Sequence, residues 1–263
     1  MRALVVGCGY VGLPLAAELA RRGHEVFGVR RSSEGAEKLS AAGVQPLFAD
    51  VTDAASLRAL PNDFDWVVNA VSSSKGGADV YRAVYREGTR HLLAWLGASR
   101  VRRYVHLSST SVYAQTDGSV VTETSVTEPT AETGKILVET EAVLRAAAEK
   151  YFSGIILRVA GIYGPERGHL FQQFLRGEAR LAGDGSRWLN MIHRDDVVVM
   201  DNLGAHHATG VRALIESVGA AVIYMPPYSP DLNPIELAWS KLKNELNRLG
   251  ARTVTALRGA VRK

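Results

Sequence analysis

Six short apolar runs rich in β-formers recur along the chain: ALVVG (3–7), EVFGV (25–29), QPLFA (45–49), DWVVNAV (65–71), RYVHLS (103–108) and GIILRV (154–159). Between them lie helix-like stretches, clearest in LPLAAELARRG (13–23), VYRAVYREGTRHLLAWLGA (80–98) and KILVETEAVLRAAAEKY (135–151). Alternation of this kind predicts βαβ units and so an α/β fold with a doubly wound parallel sheet. Such a sheet takes ligands beyond the carboxyl ends of its strands.

The first of those ends carries GCGYVG, a G-x-G-x-x-G pattern directly after a strand and directly before an amphipathic helix. Gly7 permits the tight turn, Gly9 lets a pyrophosphate approach the backbone, and Gly12 lets helix and strand pack closely. Tyr10 and Val11 complete the loop and belong to the same candidate dinucleotide site. A phosphate there faces the unpaired N–H groups of a helix N-terminus. The second strand ends in VFGVRRSS, where a carboxylate would grip the ribose 2′-hydroxyl of NAD. Arg30 and Arg31 stand there instead, so the expected cofactor is NADP, with NAD as the alternative. Two solvated arginines on an exposed loop explain the same residues. Asp50, after the third strand, is a candidate for the adenine edge and equally for the opening of a turn.

With GCGYVG stand, in order, the aspartate of FADVTD, NAVSSS, LSSTSVY, RVAGIYGP and NMIHRDD. Together these blocks resemble an extended or atypical short-chain dehydrogenase/reductase, the group that contains sugar-nucleotide epimerases and dehydratases. The resemblance covers residues 1–197 and implies a Rossmann-like NAD(P)-binding domain. It also places Ala70 of NAVSSS beside the cofactor. In that family a serine or threonine orients the substrate oxygen. A tyrosine passes the proton, and a lysine four residues later lowers the tyrosine's pKa and holds the ribose. Ser109 matches the serine and Lys135 the lysine, but the tyrosine position holds Ala131, whose methyl carries no proton. Tyr113 and Tyr163, at strand ends, are the candidates to replace it, although tyrosines at such places commonly cap a core.

From residue 198 the pattern changes. The runs DNLGAHH, MPPYSPDLNPIE and ELAWSKLKNEL resemble the C-terminal part of a mariner-type DDE insertion-sequence transposase, whose fold is RNase H-like. That resemblance makes residues 198–263 an incomplete fragment of such a domain. Asp201 and Glu236, with 34 residues between them, would be two of its three metal-holding carboxylates. Enzymes of that kind hold two divalent ions about 4 Å apart. No upstream run resembles the strand that carries the third carboxylate, so the pair is expected to hold Mg²⁺ weakly, if at all.

Charge agrees with this division. Residues 1–197 hold 23 basic and 22 acidic side chains and residues 198–263 hold 8 and 5, which gives the net +4. A nucleic-acid surface and a solvated helix face both fit the basic excess. One cysteine, Cys8, excludes an internal disulfide and a cysteine-based zinc cluster. No apolar run reaches the roughly 20 residues of a membrane span. The start lacks the layout of a cleavable signal, so a cytoplasmic location is expected. Three functions fit the residues: a truncated NAD(P)-binding oxidoreductase or epimerase-like protein of unidentified substrate fused to a transposase remnant, with a complete catalytic set in neither part; a non-catalytic NADP-binding sensor; and a DNA-processing or nucleic-acid-binding protein acting through residues 198–263. Oligomeric state is left open.

Overall fold

A computed structural model of the protein describes residues 1–73, 76–97, 99, 101–168, 172–173, 176–178 and 190–197. The chain divides into two compact units. One comprises Met1–Pro165 with Trp188–Val198, and the other Glu166–Arg187 with Val199–Lys263. The expected boundary at 197 and the candidate metal ligands Asp201 and Glu236 bear on residues outside the described set.

Six parallel strands form the sheet of the first unit, in the order β3-β2-β1-β4-β5-β6. They are β1 (Arg2–Val6), β2 (Glu25–Arg30), β3 (Gln45–Phe48), β4 (Trp66–Asn69), β5 (Arg103–Ser109) and β6 (Ser153–Val159). All six coincide with the apolar runs of the sequence. Leu4, Val5 and Val6 of β1 are buried in succession, as a central parallel strand covered on both faces requires. The order reverses at β1, so the crevice between the carboxyl ends of β1 and β4 is the topological switch point.

Helices cover both faces. Helices α1 (Gly12–Arg21) and α2 (Ala36–Ala41) close one of them, with Ala16 and Leu39 packed against Ala3, Val5, Val26 and Val68. On the other, α3 (Ala54–Arg58), α5 (Gly88–Leu96) and α6 (Glu132–Tyr151) deliver Leu57, Leu92, Leu96 and Leu144 onto Leu4, Phe27, Val67 and Tyr104. The long helix expected near 80–98 is three pieces: α4 (Ala78–Tyr81), a π-helical turn (Arg82–Glu87) and α5.

Polar groups are also buried on this second face. The Asn69 amide donates to Tyr104 Oη (3.0 Å) and Thr89 Oγ1 (3.3 Å) while its oxygen accepts from Val71 N, which fixes the turn after β4. Fully buried Glu141 of α6 accepts from Ser108 Oγ of β5 at 2.7 Å and from Arg158 of β6 at 2.7 Å. Burial alone would push the Glu141 carboxyl up, but the hydrogen bonds from Arg158 and Ser108 outweigh it and hold it below its ordinary value.

Two short strands lie outside the main sheet. β7 (Gly161–Tyr163) and β8 (Met191–His193) pair in parallel with Tyr163 opposite His193. The motifs RVAGIYGP and NMIHRDD, recognisable as blocks in the sequence, are thus joined in space. No helix among the described residues is long and apolar enough to cross a membrane.

Candidate dinucleotide site

The glycine-rich loop begins as β1 ends, and Gly7 N and Cys8 N both donate to Val29 O of β2 at 3.1 and 3.2 Å. Each glycine has a separate reason. Gly7 has φ +89°, and a Cβ there would lie 2.8 Å from Ala70 O, so the backbone after β4 packs directly against it. A Cβ on Gly12 would collide with Gly7 O and sit 3.3 Å from Val5 Cγ1, so α1 abuts the strand that precedes it. Gly9 is the opposite case: a Cβ there meets nothing within 4 Å. Its outer side is open space beside the start of α1, where Leu13 N donates back to Gly9 O (3.1 Å) and Leu15 N to Val11 O (3.2 Å), so the amides that face outward are those of the loop before them. A cradle that is closed at the first and third glycines and open at the second suits a diphosphate.

Other candidates converge on the same edge. Ala70 N donates to Val6 O (2.8 Å), which places Ala70 beneath the loop. Arg30, at the end of β2, donates from Nη1 to Cys8 O (3.3 Å), and its guanidinium lies across Gly35, where a Cβ would be 2.9 Å from Nη1. Arg31 beside it is exposed. Asp50 opens a turn: its Oδ1 accepts from Thr52 N (2.9 Å) and Thr52 Oγ1 (2.8 Å). Cys8 is buried and its thiol is pushed up to about 12, mainly by desolvation, so the cysteine inside the loop is a packing residue rather than a nucleophile.

The expected catalytic residues are placed less tightly. Ser109 ends β5, and its Oγ accepts from Ser111 N (3.1 Å). Ala131 is the N-cap of α6 and its carbonyl accepts from Lys135 N, so the two stand one helical turn apart. The Lys135 ammonium is about half exposed and lies 3.9 Å from Glu132. Of the two tyrosines considered as replacements, Tyr113 is spoken for: its hydroxyl donates to Thr122 O (2.9 Å) and accepts from Arg158 Nη1 (2.7 Å). Tyr163 packs edge-on against His193, ring centroids 5.3 Å apart. Its phenol is pushed up, first by burial and then by Asp196, and so stays protonated. No cluster of three or more His, Cys, Asp or Glu side chains suited to a metal occurs among the described residues.

Contacts that no spacing rule exposes surround Tyr10. Its hydroxyl donates to Pro165 O (3.0 Å), and the Arg194 guanidinium lies 5.2 Å from its ring centroid. Arg194 was visible only as part of NMIHRDD; the contact joins positions far apart in the chain and leaves no local trace in the sequence.

A six-stranded parallel sheet in this order, with an open glycine cradle at its switch point, defines an α/β protein of the dinucleotide-binding class. The chain belongs to the NAD dependent epimerase/dehydratase family, whose model matches residues 3–209. That match runs past the boundary expected at 197. The chain is 31% identical over 201 residues to Protein YeeZ of Escherichia coli (strain K12), covering 74% of this chain and 69% of that protein. It is 28% identical over 301 aligned residues to a dTDP-6-deoxy-L-talose 4-dehydrogenase (NAD(P)(+)) of Kitasatospora kifunensis, covering 99% and 93%. Its fold resembles that of a Bacillus cereus UDP-glucuronic acid 4-epimerase solved with UDP-glucuronic acid and NAD, with a TM-score of 0.65 at 21% identity, covering 75% of this chain and 71% of that one.

Proposed function

We propose that the chain binds NADP(H) at the carboxyl edge of its sheet and serves an oxidoreductase or epimerase chemistry on a small hydroxylated substrate, such as a nucleotide sugar. The observation that carries the reading is the open side of Gly9 between the closed positions Gly7 and Gly12. In this reading the open side of Gly9 admits the diphosphate and the amides of Tyr10, Val11 and Gly12 hold it. Arg30, with Arg31 beside it, holds a ribose 2′-phosphate, Asp50 lies towards the adenine, and Ala70 borders the cleft. The bound dinucleotide supplies the hydride chemistry. Ser109 orients a substrate oxygen and Lys135 holds the ribose. NAD is the alternative cofactor, since the relatives named above carry or accept it.

Ala131 favours a second reading, a protein that binds NADP(H) without turning it over, because residue 131 has no proton to move. For residues 198–263 the transposase-like reading rests on the run MPPYSPDLNPIE and the spacing of Asp201 and Glu236. It implies weak Mg²⁺ binding and contact with nucleic acid. Titration of Arg30→Asp against wild type tests the cofactor choice. The variant loses at least about tenfold in NADPH affinity and keeps or gains NADH affinity, as expected where a carboxylate replaces a phosphate-binding cation. Equal NADPH affinity in the two proteins would remove NADP from the reading. Mixing the NADP⁺ complex with candidate sugar nucleotides separates enzyme from sensor: only the enzyme reduces the bound nucleotide, as hydride passes from a substrate carbinol carbon to the nicotinamide.

A further inference from the structure

The β7–β8 ribbon is fastened at both ends to the carboxyl edge of the main sheet. At one end Asn190, whose carbonyl accepts from Gly161 N, donates from Nδ2 to Thr110 Oγ1 (3.3 Å), immediately beyond β5. At the other end the ribbon meets the glycine-rich loop after β1. There the Tyr10 hydroxyl donates to Pro165 O, and Arg194 lies over the Tyr10 ring. Gly164 is enclosed between these groups: a Cβ there would lie 2.8 Å from Tyr10 Oη, 3.1 Å from His193 Nε2 and 3.2 Å from Arg194 Cβ. In the sheet β4 alone separates β1 from β5, so the two anchor points are about 10 Å apart. An extended run from 190 to 194 spans about 13 Å, enough to bridge them. The ribbon therefore crosses the carboxyl ends of β1, β4 and β5, over the switch-point crevice.

Tyr10 is also the residue next to Gly9, whose outer side is open. One side chain thus belongs to the candidate diphosphate cradle and to the fastening of the strap above it. We propose that Tyr10 and Arg194 form a latch that holds the β7–β8 strap closed over a bound dinucleotide and sets the rate at which it leaves. The inference rests on the reading of this cleft as a dinucleotide site. Both are positioning residues here. The ring–guanidinium stack and the hydroxyl–carbonyl bond fix the loop against the strap, and Asp195, 2.8 Å from Arg194 Nε, holds the guanidinium in place. Breaking the latch frees the strap at its β1 end while the Asn190–Thr110 anchor persists, so exit accelerates more than entry.

The test is stopped-flow release of NADPH from the full chain, chased with excess NADP⁺, alongside association rates and unfolding temperatures of the ligand-free proteins. Arg194→Ala is expected to release NADPH about tenfold faster, with association and unfolding temperature close to wild type, and Tyr10→Ala to release it at least as fast. Arg194→Lys, which keeps a cation over the ring, restores most of the slow release. Tyr10→Phe, which keeps the ring and loses the hydroxyl, falls between. Release within about twofold of wild type in both alanine variants overturns the latch. So does Arg194→Lys behaving like Arg194→Ala. A wild-type chain that binds no NADPH instead overturns the cofactor reading on which the latch stands.

Discussion

His106 of β5 is almost wholly buried, and neither ring nitrogen has a hydrogen-bond partner. Desolvation pushes its pKa down from 6.5 to about 4, against the upward pull of Glu141. The unfolded chain therefore takes up a proton between those values that the folded chain refuses. Stability is full above about pH 6.5 and falls as the pH drops towards 4, by up to roughly 3 kcal/mol if the whole shift is realised. Urea unfolding of wild type and His106→Leu across that range checks this. The variant's stability declines less on acidification, and parallel curves would show that His106 carries no such linkage. Single residues were unevenly legible. Gly7, Gly9 and Gly12 were readable because a turn, an open approach and a close packing each demand glycine at a fixed spacing. The burial of His106 and Glu141 was not, because a charged or titratable side chain enters a core only when distant partners or neighbours surround it. Arg158 lies 17 positions from Glu141 in the sequence.

Among the elements, α6 shows how such partners act. Glu141 ties this helix to β5 through Ser108 and to β6 through Arg158, whose side chain is only 11% exposed. Glu141→Ala leaves that guanidinium buried without its carboxylate, and the expected cost is about 3–5 kcal/mol. Glu139, on the exposed side of the same helix, pairs with Arg82 (2.9 Å) and Arg86 (3.2 Å) where all three side chains are partly solvated, and Glu139→Ala is expected to cost about 1 kcal/mol. Denaturant unfolding of the two variants makes the comparison, and equal losses would mean that the buried pair anchors nothing. All six strands were legible, because buried parallel strands are short apolar runs bounded by turns. The pairing of β7 with β8 was not. Three-residue strands carry too little pattern, and the contacts at their ends, to Thr110 and Tyr10, come from distant parts of the chain.

For the molecule as a whole, the fold and the candidate dinucleotide edge follow from the same fact: parallel strands bring their carboxyl ends, and whatever residues occupy them, to one side. That places Gly9, Arg30, Asp50, Ala70 and Ser109 along one edge although they are spread over a hundred positions of sequence. The chemistry performed at that edge is less legible, since Ala131, four residues before Lys135, has no proton to move. Calorimetric titration of the full chain with NADPH and with NADH, beside Gly9→Val, addresses the edge directly. Gly9 has open space and no positive φ to protect, so valine there leaves the unfolding temperature unchanged while filling the space a diphosphate needs. Saturable heat with NADPH in the wild type, absent in Gly9→Val, is the expected result. No heat with either dinucleotide, or the same heat in the variant, would contradict a diphosphate site at this loop.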